Sequence, residues 1–132
     1  MSDMSKQIIK AAKSGDQATL TALIAVDINL VHACDRDEST PLQCAAWKGH
    51  RALVADLLAA GADVHVHNNN DHWGTTPLHA AAHANQAKII QLLIDHGADL
   101  SAVDMHGNRP LHHTTFYNAR AAAKVLHAHG VV

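Results

Sequence analysis

The chain has 132 residues, 48% of them apolar, and a net charge of -2 when its 13 histidines are neutral. That length and apolar share suit one domain with a real core, and the near-neutral balance gives no overall basic footprint for nucleic acid or anionic membrane. No apolar run approaches the roughly 18 residues of a membrane span, and Met1-Ser2-Asp3-Met4-Ser5-Lys6 lacks the apolar centre of a secretory signal.

The first predicted helix carries Ile8, Ile9, Ala11 and Ala12 and stops at Gly15, and a second carries Leu20, Leu23 and Ile24. Lys6, Lys10, Lys13, Asp16 and Gln17 give this pair a wet outer face, as expected of a terminal unit with nothing packed beyond it. Cys34 then falls in a loop. The next pair opens at Thr40-Pro41-Leu42, continues through Cys44 and Ala45-Ala46 to Gly49, and resumes with Leu53-Val54 and Leu57-Leu58 before Gly61-Ala62-Asp63. Two cysteines do not make a disulfide framework, so both read as free thiols and the cytoplasm as the default compartment.

A polar connection, His65 to His72, is three residues longer than its counterparts, and long loops often carry function. The third pair starts at Thr76-Pro77-Leu78. The threonine hydroxyl suits a helix N-cap, and proline suits the first helical position because its missing N–H needs no partner there. Ala80-Ala81-Ala82 leads to Asn85, which tolerates the left-handed conformation that ends a helix, and Ile89, Ile90, Leu92 and Leu93 form the next apolar stripe up to Gly97. A last, degraded pair follows Arg109-Pro110-Leu111, with Thr114-Thr115 where small residues are usual and Ala121-Ala122-Ala123 in its second helix.

The Thr-Pro-Leu copies recur at intervals of 36 and 33 residues, the period of a stacked repeat in which each unit buries its apolar face against its neighbours. With Thr76-Pro77-Leu78-His79 complete, the chain closely resembles the ankyrin repeat over nearly its whole length. The resemblance implies an all-α solenoid of stacked antiparallel helix pairs with projecting hairpin-like turns. It divides the chain into one domain of four units, 1–35, 36–70, 71–104 and 105–132, the outer two being caps. It also implies a protein partner held on the concave face made by the turns and first helices.

In the family pattern Asp-x-x-Gly-x-Thr-Pro-Leu, the free turn positions are Arg36, Asp37 and Ser39; then His72, Trp73 and Thr75; then Met105, His106 and Asn108. Further free positions follow the small pairs: Trp47 and Lys48, His83, Phe116 and Tyr117. All four aromatic residues of the chain fall in these slots, which marks them as partner contacts, since rigid rings on a polar surface bury much area at little entropic cost. Trp47, Trp73 and Tyr117 are the expected anchors; Arg36, Asp37, Lys48 and His83 supply selectivity. Phe116 and Tyr117 have a competing explanation as a lid over the last pair. His79 and His112, the residues after Pro-Leu, are expected to be buried and bonded to the following turn or, for His79, to Thr76.

Three alternatives remain. His65, His67, Asp71 and His72 are residue types that bind zinc, with His65 and His67 on one side of an extended strand; a polar bulge explains the same residues. The many histidines would respond to pH as a cluster. The chain would otherwise be an inhibitory or architectural subunit of a permanent complex. No nucleophile elbow, phosphate-cradling glycine loop or His-Glu-x-x-His helix is present, so no catalytic residue and no cofactor is assigned. The expected molecule is a non-catalytic binding module, monomeric when unbound.

Overall fold

A computed structural model describes residues 2–69, 73–116 and 118–131. Four helix pairs follow one another: α1 (Asp3–Ser14) with α2 (Gln17–Val26), α3 (Pro41–Lys48) with α4 (Arg51–Ala59), α5 (Pro77–His83) with α6 (Ala87–Asp95), and α7 (Pro110–His113) with α8 (Arg120–Ala128). A 3₁₀ helix at Ile28–His32 lies between the first two pairs, and the described residues contain no strand. The first helices α1, α3, α5 and α7 pack in sequence as one layer, and α2, α4, α6 and α8 form the other.

The core runs continuously between the layers, from Ile8 and Leu20 through Leu42, Val54 and Leu57 to Leu78, Ile90, Leu93 and Leu126. Alanine pairs in the first helices are wholly buried at Ala45, Ala46, Ala81 and Ala82, and their small side chains let neighbouring helices approach closely. Thr40 and Thr76 have extended backbones, and their hydroxyls accept from the backbone N–H of Gln43 and His79, closing a capping box in each.

First helices end on left-handed residues: Gly15 (φ 79°), Gly49 (φ 82°), Asn85 (φ 59°) and Asn118 (φ 54°). At two of them a side chain of the next unit occupies the space where a Cβ would stand. A Cβ at Gly15 would stand 2.8 Å from the His50 ring, and one at Gly49 would stand 2.6 Å from the Gln86 amide. Glycine therefore suits these positions by conformation, and any side chain there would also have to turn the His50 ring or the Gln86 amide aside.

The turns share one hydrogen-bond pattern. Asp35 and Asp104 each accept two backbone N–H groups on Oδ1, from Asp37 and Ser39 and from His106 and Asn108. Their own N–H groups donate to Ser39 O and Asn108 O, four residues on. In the turn before α5 these roles belong to Asn68, whose N–H donates to Thr75 O and whose Oδ1 accepts from Thr75 N and Oγ1. Asp71, which stands at the first position of an Asp-x-x-Gly-x-Thr-Pro match in Asp71-His72-Trp73-Gly74-Thr75-Thr76-Pro77, lies outside the described residues. The span from Asn68 to Thr75 is seven residues against four elsewhere, so the extra length belongs to the tip of the turn. Adjacent turns join through backbone bonds, Asn69 N to Asp37 O at 2.6 Å and Met105 N to Trp73 O at 2.7 Å.

Candidate functional site

The left-handed residues give a structural register for the hollow face. Two positions before them stand Lys13, Trp47, His83 and Phe116, and five before them stand Lys10, Cys44, Ala80 and His113. In the first set, Trp47, His83 and Phe116 form a row of touching rings. Trp47 stacks on His83 with ring centroids 4.8 Å apart, and His83 meets the Phe116 ring edge-on at 5.7 Å. From the lengthened turn, Trp73 approaches the same cluster, 5.9 Å from Phe116 and 5.9 Å from His113, with His106 at 4.7 Å on another side. These rings and the turns enclose a groove of about 730 Å³ that runs from Lys13 and Asp35 to Phe116.

Most of the sequence-selected residues converge there. Trp47, Lys48, Trp73, Thr75, His83, Asp37 and Ser39 all line the groove together with Phe116. Trp47 is 45% exposed and Phe116 38%. Ser39 is buried and its Oγ accepts from Asn68 Nδ2, and Thr75 is tied to Asn68, so both also hold the turn in shape. Arg36, Met105 and His106 are exposed but stand outside the lining, on the turn tips. Asn108 contributes its backbone carbonyl to a buried bond. His72 and Tyr117 lie outside the described residues.

The floor holds residues the sequence reading left out: Gln43, Cys44, Asn68, Ala80 and His113. Cys44, Ala80 and His113 share one register position, five before a left-handed residue, and Gln43 shares the next with His79, six before. Gln43 and His79 are equivalent staples between units. Gln43 Nε2 donates to Thr75 O at 2.8 Å, and His79 Nε2 donates to Asn108 O at 2.8 Å. The other nitrogen of His79, Nδ1, accepts from Thr76 Oγ1 at 2.7 Å and from Thr76 N–H, as expected from the sequence. His112 departs from its expected burial. It is exposed, with its ring 5.4 Å from Phe116, because no described turn follows to receive it.

Burial dominates the electrostatics of the floor. It pushes the His79 pKa down to about 4, and it lowers those of His113 and His83. His113 Nε2 donates to Asp104 Oδ2 at 2.7 Å, which opposes the shift without cancelling it. Burial would raise the Asp104 pKa, but hydrogen bonds from Asn108, His113 and His106 hold it below the ordinary carboxylate value. Cys44 is pushed up to about 11, chiefly by burial, so its thiolate is suppressed.

His79, Asp104 and His113 bring one ligating atom each within 4.8 Å of one another, the residue set of a small metal site. Both nitrogens of His79 and both oxygens of Asp104 are already engaged in hydrogen bonds, so the trio is closed as a structural network. In the His65–His72 stretch, His65 and His67 are exposed, and His67 Nδ1 donates to Gly74 O at 2.8 Å. Asp71 and His72 lie outside the described residues.

Two family models match, both described as ankyrin repeats: one over residues 8–58 and one over residues 56–131. The chain belongs to the ankyrin repeat family. Relatives of the chain include the serine/threonine-protein kinase VIK of Arabidopsis thaliana, 42% identical over 68% of this chain and 20% of the relative. Inversin of Gallus gallus is 31% identical over 97% of this chain and 11% of its own length. Ankyrin repeat and SOCS box protein 11 of Homo sapiens is 32% identical over 82% of this chain and 32% of its own length. The chain therefore spans about a tenth to a third of these relatives. Ankyrin repeats are in general non-catalytic protein–protein interaction modules. No helix among the described residues is long and apolar enough to cross a membrane.

Proposed function

We propose that the chain is a non-catalytic binding module of one four-unit domain that holds a protein partner in the groove between its turns and first helices. The observation that carries this reading is the ring row Trp47–His83–Phe116 with Trp73 beside it, solvent-facing apolar surface at the centre of a concavity. Trp47 and Trp73 anchor the partner, with Tyr117 as a further anchor. Phe116 widens the apolar patch. Lys48, His83 and Asp37 orient the partner, and Arg36, Met105 and His106 contact it at the rim. A stack tied by repeated staples is preorganised, so association incurs little ordering cost. The free chain is monomeric and cytoplasmic in this reading.

The test is a footprint. A partner recovered from the native cell is added back to the pure chain and amide hydrogen exchange is followed. The reading expects added protection in α3, α5, α7 and the turns around Asp37 and Trp73, with α4, α6 and α8 unchanged. Protection confined to the outer helices would refute it.

A further inference from the structure

The two ends of the hollow face differ in chemistry. At the end carrying Trp73 and Phe116 the surface is aromatic. At the other end, Lys6, Lys10 and Lys13 rise from one face of α1 and meet Lys48 of α3 around a shallow depression that also contains Ile9 and Ser14. Lys13 and Lys48 line both this depression and the main groove, so the two surfaces are continuous. The lysines first look like the solvated face of a cap. Yet the cap's first helix presents Lys10 and Lys13 at the register where later units place Cys44 with Trp47 and His113 with Phe116. Lys13 pairs with Asp35 at 3.6 Å; among the described residues Lys6, Lys10 and Lys48 have no acidic partner. The chain as a whole carries -2, so this is a local positive field on a mildly acidic molecule.

We infer that the occupant of the groove is an acidic peptide segment, with apolar side chains against Trp73 and Phe116 and carboxylates over Lys10 and Lys48. This rests on the groove being the partner site. Charge complementarity of this kind fixes the direction in which a peptide lies and speeds its capture. Neighbouring first helices stand roughly 8–10 Å apart. Two to three such steps separate the lysine end from the aromatic end, which an extended chain covers in roughly five to nine residues at about 3.3 Å each. A single-stranded nucleic acid fits less well. Trp47 is already stacked on His83, and a strand with a phosphate at every nucleotide would bring some of them against Asp35 and Asp37 on the turn side, whereas a peptide can confine its carboxylates to the lysine end.

The experiment selects a random-peptide display library against the full chain. Enriched peptides are then titrated against the chain and three variants: Lys10→Glu with Lys48→Glu, Trp47→Ala, and Lys88→Glu with Lys124→Glu on the outer helices. The expected peptides carry Glu or Asp roughly five to nine residues from an apolar anchor. The Lys10/Lys48 reversal should weaken them about tenfold or more while the outer reversal leaves affinity within about twofold. Peptides with no acidic excess, or indifference to the Lys10/Lys48 reversal, would overturn the inference while leaving the groove reading intact if Trp47→Ala still weakens binding. Indifference to Trp47→Ala, or no enriched binder, would remove both. A single-stranded oligonucleotide or phosphatidylserine vesicle bound more tightly than any peptide, through the same lysines, would also overturn it.

Discussion

His79 shows how one side chain can join two units and set a pH response. Its ring is fully buried between Thr76 and the Asn108 carbonyl, so removing it leaves a void and takes from that carbonyl one of its two hydrogen bonds, the other coming from the Asp104 backbone N–H. His79→Ala should cost about 2–4 kcal/mol in urea unfolding, the range for emptying a buried site of this size. His79→Gln should recover much of that loss, because Gln43 already performs the same task one unit earlier. The pH dependence has a definite sign. The folded chain refuses a proton at His79 until about pH 4, whereas an unfolded histidine takes one near its ordinary value. Stability is therefore fully present above about pH 6.5 and falls as pH drops towards about 4, where the folded form also protonates. His113 and His83 act in the same direction. Urea midpoints at about pH 7.5 and about pH 5 should differ less in His79→Gln than in the parent chain; an equal difference would take His79 out of the account.

Individual helices differ in how well their ends are secured. Thr40 and Thr76 close capping boxes, but at the start of α7 Arg109 has the same extended backbone, φ -85° and ψ 164°, and no side-chain cap. Arg109→Thr should raise stability by about 0.5–2 kcal/mol, the usual worth of such a cap, read as a higher melting temperature. At the other end, Gly49→Ala meets both a left-handed backbone and the Gln86 amide, while Gly61→Ala meets only the backbone, with open space around it. Gly49→Ala should therefore be the more damaging by about 0.5–1.5 kcal/mol, the cost of turning the Gln86 side chain aside. Much of this level was legible beforehand: the helix pairs, their stops at Gly15, Gly49 and Asn85, and the Thr-Pro starts all follow from local chemistry. The 3₁₀ helix at Ile28–His32 was not, since no periodicity announces a single short turn. Asn68 was also missed, although it lies as far beyond Gly61 as Asp104 lies beyond Gly97. The tempting Asp-x-x-Gly match at Asp71 hid it.

For the whole molecule, closing the core with alanine pairs and aliphatic stripes leaves the large rings for the hollow face. The sequence placed Trp47, Trp73 and Phe116 outside the interior stripes, and they meet around one groove. Their mutual contacts depend on units 33 to 36 residues apart, so sequence alone could name the members but could not show that Trp47 stacks on His83. Among the floor residues, His113 was hidden because the degraded last unit obscures its register, with Thr114-Thr115 where small residues are usual. The most direct test of the groove is a calorimetric titration of the partner against the parent chain and a Trp47→Ala/Trp73→Ala variant, with melting temperatures measured in parallel. The groove account predicts a loss of about 30-fold or more in affinity, the scale of a hot-spot residue, with the fold intact. Unchanged affinity in a folded double variant would contradict it.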